Sequence, residues 1–435
     1  MNALDLILKK RAGKSLAAEE IIWLVTNYTG GLIPDYQMAA FLMATYFQGL
    51  NSKETKALTM ALAESGEVID FNSKEVVDKH SSGGVGDKTT LVLAPLVAAA
   101  GLNFAKFSGR GLGFTGGTID KLESIPGFCT NFNTSQFKKH VLEHGLAIAA
   151  QSDKITPADG KIYSLRDVTG TVDNVSLIAS SIMAKKIAGG AQAILLDVKA
   201  GKGAFMKSKE EAFQLAETMV RLGKDLKRDV VAVVSNMNQP LGMAIGNILE
   251  VKEAIQTLQG KGPQDLVFLC VTLGGLLLTL TGKARNIEEG KEIINEVLVK
   301  GKGFRKFEEM VIAQGGDASY IHDPELFPQA TYVLEVNAPL DGFISSIDAY
   351  KIGKIAMDLG AGRKEKNAKI DHTVGVVLNR KVGDKVSKGT KLATVHGNDK
   401  NVIKEAATDI LQAINISDIS VEKEPLIIGC VPPLL

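Results

Sequence analysis

Residue types that bind an oxyanion crowd into one twelve-residue stretch, KHSSGGVGDKTT, at positions 79–90. Lys79, Ser81 and Thr90 supply side-chain donors, and successive glycines let backbone N–H groups converge on a small anion. The strand-like EVVDK feeds the loop and the helix-like TTLVLAPLVAAA leaves it, which brings the positive end of a helix to the same place. A nucleoside triphosphate fits poorly. The phosphate-loop motif G-x-x-x-x-G-K-[ST] has no acidic residue between its last glycine and its lysine, whereas the order here is Gly86-Asp87-Lys88-Thr89. A single inorganic oxyanion is the natural ligand; a flexible turn whose glycines serve only close packing is the structural alternative.

A second glycine-rich loop, SGRGLGFTGGTIDKLESIPG, spans 108–127. Gly111, Gly113 and Gly116 satisfy the dinucleotide spacing G-x-G-x-x-G, yet no helix obviously opens at the second glycine. Nor does a strand ending in an acidic residue follow at the expected distance. Two Gly/Ser/Thr loops after neighbouring strands form the two walls of one phosphate pocket more simply, with Ser108 and Thr118 as hydroxyl donors. His80 lies inside the first loop beside Lys79, a setting that favours hydrogen bonding or proton donation over a plain structural histidine. Ser181 and Lys185 are four residues apart and share a helix face, and Arg166 lies just before them. These three offer donors and no negative charge, which suits the carbonyl-rich edge of a pyrimidine. Lys186 reads as solvent-facing. His140 and His144, one helical turn apart, have no carboxylate or cysteine pattern to complete a metal site and read as helix surface.

Elements must hold these residues in place. The first 65 or so residues read as helices, including SLAAEEIIWLVTNY, a segment starting at Pro34, and one opened by the Asn51–Glu54 capping pattern. After Asp70, the strand-like EVVDK, LNFAKF, LAIAAQ, AILLDVK and DVVAVVSN alternate with helical stretches, which predicts an α/β domain with a mixed, mainly parallel sheet. Residues 167–190 read as one long helix that could pack on the sheet or return to the N-terminal helices. From about 335, short strands with glycine turns predict a C-terminal α+β unit.

Composition bounds the function. The 435 residues are 45% hydrophobic and 23% charged with a formal net charge of +1, so nothing electrostatic points to nucleic acid or a membrane surface. Three widely spaced cysteines, Cys129, Cys270 and Cys430, form no disulfide or metal pattern. The N-terminal MNALDLILKKRAGKSL lacks the features of a signal peptide, and a cytoplasmic protein is the expectation.

Four blocks in order, KHSSGGVGDKTTL, SGRGLGFTGGTIDKLESIPGF, LRDVTGTVDNVSLIASSIMAKK and NMNQPLGMAIGNILEVKEAI, resemble the thymidine/pyrimidine-nucleoside phosphorylase family, and the resemblance runs over essentially the whole chain. It implies a helical domain, 1–65 completed by 160–190, hinged to an α/β phosphate-binding domain, 71–155 and 191–330, with 335–435 as the C-terminal α+β domain. It implies a homodimer, no organic cofactor, and inorganic phosphate as co-substrate. Phosphate contacts fall on Lys79, Ser81, Thr90, Lys106, Ser108 and Thr118. Base contacts fall on His80, Arg166, Ser181 and Lys185, with His80, Arg166 and Lys185 as the catalytic set. A monovalent cation, taken as potassium, would lie at Gly86, Lys88, Leu241, Ala244 and Glu253, with Lys88 serving only through its carbonyl. Lysine at 106 resembles the members that accept uridine, thymidine and deoxyuridine rather than thymidine alone. Phe107, Phe114, Gly170 and the NVSLI string depart from the usual pattern beside the pocket. The competing readings are a thymidine-specific phosphorylase, a phosphoribosyltransferase, which would need a clustered acidic site for magnesium, and a non-catalytic nucleoside- or phosphate-binding regulator.

Overall fold

The computed structural model describes residues 1–111, 113–365 and 368–432. Four helices open the chain: α1 (Ala3–Arg11), α2 (Ala18–Thr29), α3 (Asp35–Gln48) and α4 (Ser52–Ala63). The predicted capping box is present at α4. Asn51 Oδ1 accepts from the Glu54 N–H at 3.0 Å and Glu54 Oε2 accepts from the Asn51 N–H at 2.8 Å. The other Glu54 oxygen takes Lys10 and the Leu16 N–H, each at 2.9 Å, so one capping residue also ties α1 to α4.

The central sheet contains β1 (Val76–Ser81), β2 (Asn103–Ser108), β3 (Leu146–Ala150), β4 (Ala193–Ala200) and β5 (Asp229–Asn236). These are the five strands read from the sequence, and all run parallel. Their connections carry α5 (Thr89–Ala99), α6 (Thr118–Leu122), α7 (Thr134–His144), α8 (Pro157–Thr169), α9 (Val175–Ala188) and α10 (Lys209–Asp225). Alternate β4 residues face opposite cores. Leu195 joins one with Val77 and Phe104, while Ile194, Leu196 and Val198 join another that includes α4, α9 and α10 residues. Apolar cover on both faces explains why these strands read as near-continuous hydrophobic runs.

The segment expected as one long helix is two. Gly170 ends α8 in the left-handed region (φ 65°), and Asn174 caps α9 by accepting from the Leu177 N–H. A glycine followed by an asparagine cap is a stop and a fresh start. Both helices pack against N-terminal helices, α8 on α2, α3 and α4 and α9 on α4, while α9 also touches α10 and β2.

After β5 come β6 (Ala244–Ile245), α11 (Asn247–Leu258), α12 (Gln264–Leu280), α13 (Ile287–Val299), α14 (Lys302–Ala313) and α15 (Ser319–His322). The C-terminal part contributes β7 (Tyr332–Asn337), β8 (Gly342–Ile347), α16 (Ala349–Ala356), β9 (Gly375–Leu378), β10 (Lys385–Val386), β11 (Lys391–Gly397), α17 (Lys400–Ala413), β12 (Ile414–Ser417) and β13 (Ile427–Val431). Its sheets run β10-β8-β12 and β6-β9-β11-β7, whereas the central order is β13-β5-β4-β1-β2-β3. A boundary at 335 is therefore crossed twice in space: β6 joins the C-terminal sheet, and β13 returns as the antiparallel edge beside β5. Among the described residues no helix is long and apolar enough to cross a membrane.

Candidate active site

The predicted phosphate residues meet at the C-terminal ends of β1 and β2, the usual ligand crevice of a parallel sheet. Val77 pairs with Phe104 across the two strands, which brings Lys106 beside Lys79, and Lys106 Nζ donates to the Lys79 carbonyl at 2.7 Å. Ser81 and Ser108 are the last residues of their strands, Thr90 lies in the first turn of α5, and Thr118 opens α6.

Lys79 is fully buried, its Nζ 3.3 Å from Asp197 and 3.6 Å from Asp87. Burial opposes its charge, but the two carboxylates outweigh burial and hold its pKa above the ordinary lysine value. Lys199 Nζ is 2.6 Å from Asp197. Neither ammonium makes a well-directed hydrogen bond among the described residues, and buried donors of this kind call for an acceptor.

Asp87, the residue that spoils the triphosphate motif, turns back into its own loop. It accepts from the Ser81 hydroxyl at 2.5 Å and from the Thr89 hydroxyl and N–H at 2.5 and 3.1 Å. Burial works against its charge, but Lys79, Lys199 and the two hydroxyls hold the carboxyl well below the usual range. The second loop also closes on itself. A side chain at Gly117 would strike the Asp120 carboxylate at 2.6 Å. The Gly111 N–H donates to that carboxylate, and Arg363 clamps Asp120 at 2.8 Å. These glycines serve backbone contact within one loop, and α6 begins only at Thr118.

Four sequence expectations need correction. Lys186 is not solvent-facing: it is 3% exposed, with Nζ 2.5 Å from Asp78 Oδ2. Arg166, Ser181 and Lys185 are not free of negative charge, because Lys185 pairs with buried Asp159 as well as with Ser181 Oγ at 3.0 Å. His80 is not protonated near neutrality. Burial and then Lys186, Lys106, Lys185 and Lys79 push its pKa well below the ordinary histidine value, which leaves a neutral hydrogen-bonding imidazole. Lys88, expected to serve a cation through its carbonyl, places its ammonium at the cation position instead.

Potassium does not fit that position. Lys88 Nζ donates to the Leu241 carbonyl at 3.0 Å, the Ala244 carbonyl at 2.8 Å and Glu253 Oε2 at 2.5 Å. A second cation on the same oxygens would lie about 4 Å from the first or closer, a repulsion of about 4 kcal/mol at an effective dielectric of about 20. Burial disfavours the Lys88 charge, but Glu253 and Glu250 outweigh it and raise the pKa.

Arg166 is 2% exposed and donates to the carbonyls of Thr171, Val172 and Leu177. Three of its five N–H groups are thus spent on the α8–α9 turn, leaving two for a ligand. His140 and His144 stack on the surface of α7 with rings 5.7 Å apart. Among the described residues no three His, Cys, Asp or Glu side chains group as a metal site.

Asp78, Asp159, Lys121, Asp197 and Lys199 were missed. Lys121 pairs with Glu250 at 2.6 Å and donates to the Asp87 carbonyl, fixing the first loop to α6 and α11. Two signals were readable: Asp197 and Lys199 are charges inside an apolar strand, and Asp159 lies seven residues before Arg166, on the same helix face. A separate cavity of about 630 Å³ behind the 241–243 turn shares only Leu241 with the predicted site.

Comparison with known proteins follows this geometry. Residues 4–66 match the helical bundle domain of a glycosyl transferase family, residues 73–304 match that family's a/b domain, and residues 343–417 match a pyrimidine nucleoside phosphorylase C-terminal domain. The fold and the loops thus define a helical-bundle and α/β glycosyl transferase. The chain is 54% identical over 404 residues to a pyrimidine-nucleoside phosphorylase of Staphylococcus haemolyticus and, at the same identity and length, to one of Bacillus subtilis, covering 92% of this chain and 93% of each relative. It is 50% identical to that of Geobacillus stearothermophilus over 98% of this chain and 99% of the relative. The chain belongs to the pyrimidine-nucleoside phosphorylase family. The crystal structure of anthranilate phosphoribosyltransferase from Thermus thermophilus shares the fold with a TM-score of 0.59 at 20% identity, covering 71% of this chain and 99% of that one.

Proposed function

We propose that this protein catalyses the reversible phosphorolysis of pyrimidine nucleosides, giving the free base and α-ribose 1-phosphate or its 2-deoxy form, with inorganic phosphate as co-substrate. The observation that carries this reading is the joint at Asp78. One of its oxygens takes Lys186 from α9 at 2.5 Å and the other lies 3.7 Å from Lys106 of β2. The helix that carries Ser181 and Lys185 is thereby fastened to the strands that carry the oxyanion donors. A site with a phosphate wall and a base wall has the form that two-substrate transfer needs.

In this reading Lys79, Ser81, Thr90, Lys106, Ser108 and Thr118 hold phosphate against C1′ of the sugar. The free N–H groups of Arg166, with Lys185 and Ser181, meet the pyrimidine as negative charge builds on it, and neutral His80 donates or accepts a hydrogen bond there. Asp159 keeps Lys185 aimed. The Ser81 hydroxyl has one hydrogen, now given to Asp87, so it turns to phosphate when the anion arrives. Residues 1–65 with 160–190 form the unit that closes on the α/β domain and excludes water. The protein works as a cytoplasmic homodimer and accepts uridine, thymidine and deoxyuridine.

Two tests bear on the phosphate wall. Replacing Ser81 and Ser108 together by alanine is expected to raise the phosphate KM about tenfold or more while the nucleoside KM changes little, on the scale of roughly 1.5–3 kcal/mol for hydrogen bonds to a charged group. An unchanged phosphate KM counts against it. The second test uses Lys106, whose pKa is pushed down to about 7 by burial and by Lys186 and Lys79, against the pull of Asp78. Bound phosphate raises that pKa, so the Lys106 contribution is fully present below about 7 and is lost as pH climbs through the higher value of the complex. Phosphate affinity of the wild type relative to Lys106→Met should therefore fall with rising pH above neutrality. The ratio between the two enzymes removes phosphate's own ionisation, and a ratio independent of pH would refute the role.

A further inference from the structure

Lys88 occupies a place built for a small cation. Its side chain is fully buried, and its three N–H bonds are all used, on two backbone carbonyls and one carboxylate. The cradle admits nothing bulkier. A side chain at Gly242 (φ 66°) would come within 2.8 Å of Lys88 Nζ, and one at Gly86 (φ 71°) within 2.5 Å of the Leu241 carbonyl. Glu253 is fixed in turn, accepting from the Met243 and Ala244 N–H groups at 2.9 and 3.1 Å. Carbonyls turned inward beside one carboxylate would satisfy potassium as well as an ammonium, since both are monovalent and close in radius.

We propose that Lys88 is a tethered cation: its ammonium takes the place of a monovalent metal ion at Leu241, Ala244 and Glu253, and holds the first phosphate loop to the 241–244 turn and α11 without metal. An ion at this place would fill it in proportion to its concentration, whereas a lysine is always present. The loop that carries Lys79 and Ser81 therefore stays anchored at any potassium level. The anchor is one of two, the other being Lys121 between Asp87 and Glu250. The proposal does not depend on which nucleoside is cleaved, because its first readout is stability.

The test exchanges potassium chloride for tetramethylammonium chloride at constant ionic strength and follows thermal unfolding and the phosphate KM of the full-length protein. For the wild type, an unchanged Tm and a phosphate KM constant within about twofold are expected. A wild-type Tm or phosphate affinity that climbs with potassium would overturn the proposal, and this arm needs no variant. Lys88→Ala empties the cradle and should unfold earlier in tetramethylammonium, then recover with added potassium. Lys88→Met fills the same space without charge and should stay destabilised in either salt. A Lys88→Ala protein as stable as the wild type without potassium, or one that potassium does not restore, would also overturn it. If phosphorolysis were absent while these stability responses held, the functional reading would fail and this one would stand.

Discussion

Arg166→Ala is expected to lower kcat about 10²- to 10³-fold, the scale for removing one preorganised donor from developing negative charge, with a smaller change in the nucleoside KM. The leaving pyrimidine gains its negative charge only as the glycosidic bond breaks, so a donor that meets that charge acts on kcat more than on binding. The guanidinium also holds the Thr171, Val172 and Leu177 carbonyls, so part of the loss could reflect a loosened α8–α9 turn. Arg166→Lys separates the two contributions. It keeps the charge but not the planar fork, and a lysine cannot serve the turn and the ligand together. Its kcat should lie between those of the wild type and the alanine variant, at a nearly native Tm. Turnover close to wild type in Arg166→Ala would remove this residue from the base wall.

Asp78→Asn should be the most damaging single change to stability. The carboxylate pairs directly with Lys186 and lies near Lys106, and all three side chains are almost fully buried. Removing one partner from a buried pair strands its charge, at a cost of roughly 3–5 kcal/mol. The value should fall toward the lower end because Lys106, already pushed down to about 7, can shed its proton. An asparagine keeps the volume, so the loss measures charge rather than a cavity. Urea unfolding beside the wild type provides the measurement, and the variant should also bind phosphate more weakly as β1 and α9 lose their joint. An unchanged midpoint would show that the joint carries no weight.

The local parts of this molecule were legible because they rest on local chemistry. All five parallel strands, the α4 capping box and the strand–glycine–helix setting of the first loop follow from patterns of a few residues. The pairings were not legible, since a charged residue's partner is set by the fold. Lys186 looked solvent-facing because it is adjacent to Lys185 in sequence. In fact α9 lies between α4 and the sheet and has little free face, so its second lysine turns inward to Asp78. Asp87 was read as an intruder in a phosphate motif, when its acceptors organise the loop from behind. Lys88 looked like a phosphate donor in one reading and a carbonyl ligand in another. Only the approach of the 241–244 turn, more than 150 positions away, shows where its charge goes. The break at 170–174 was readable, since glycine ahead of an asparagine cap is a known helix boundary, and the long apolar run beyond it hid the signal. The return of β13 to the central sheet depends on pairing at the far end of the chain, which no local pattern announces.

The central claim is a reaction with two substrates, so the most direct measurement is cleavage of uridine and of thymidine by the purified protein with and without inorganic phosphate. Release of uracil and thymine only when phosphate is present, matched by equal amounts of the pentose 1-phosphate, is the predicted result. Cleavage of thymidine alone would narrow the specificity, while base release that ignores phosphate, or none from either nucleoside, would contradict the account.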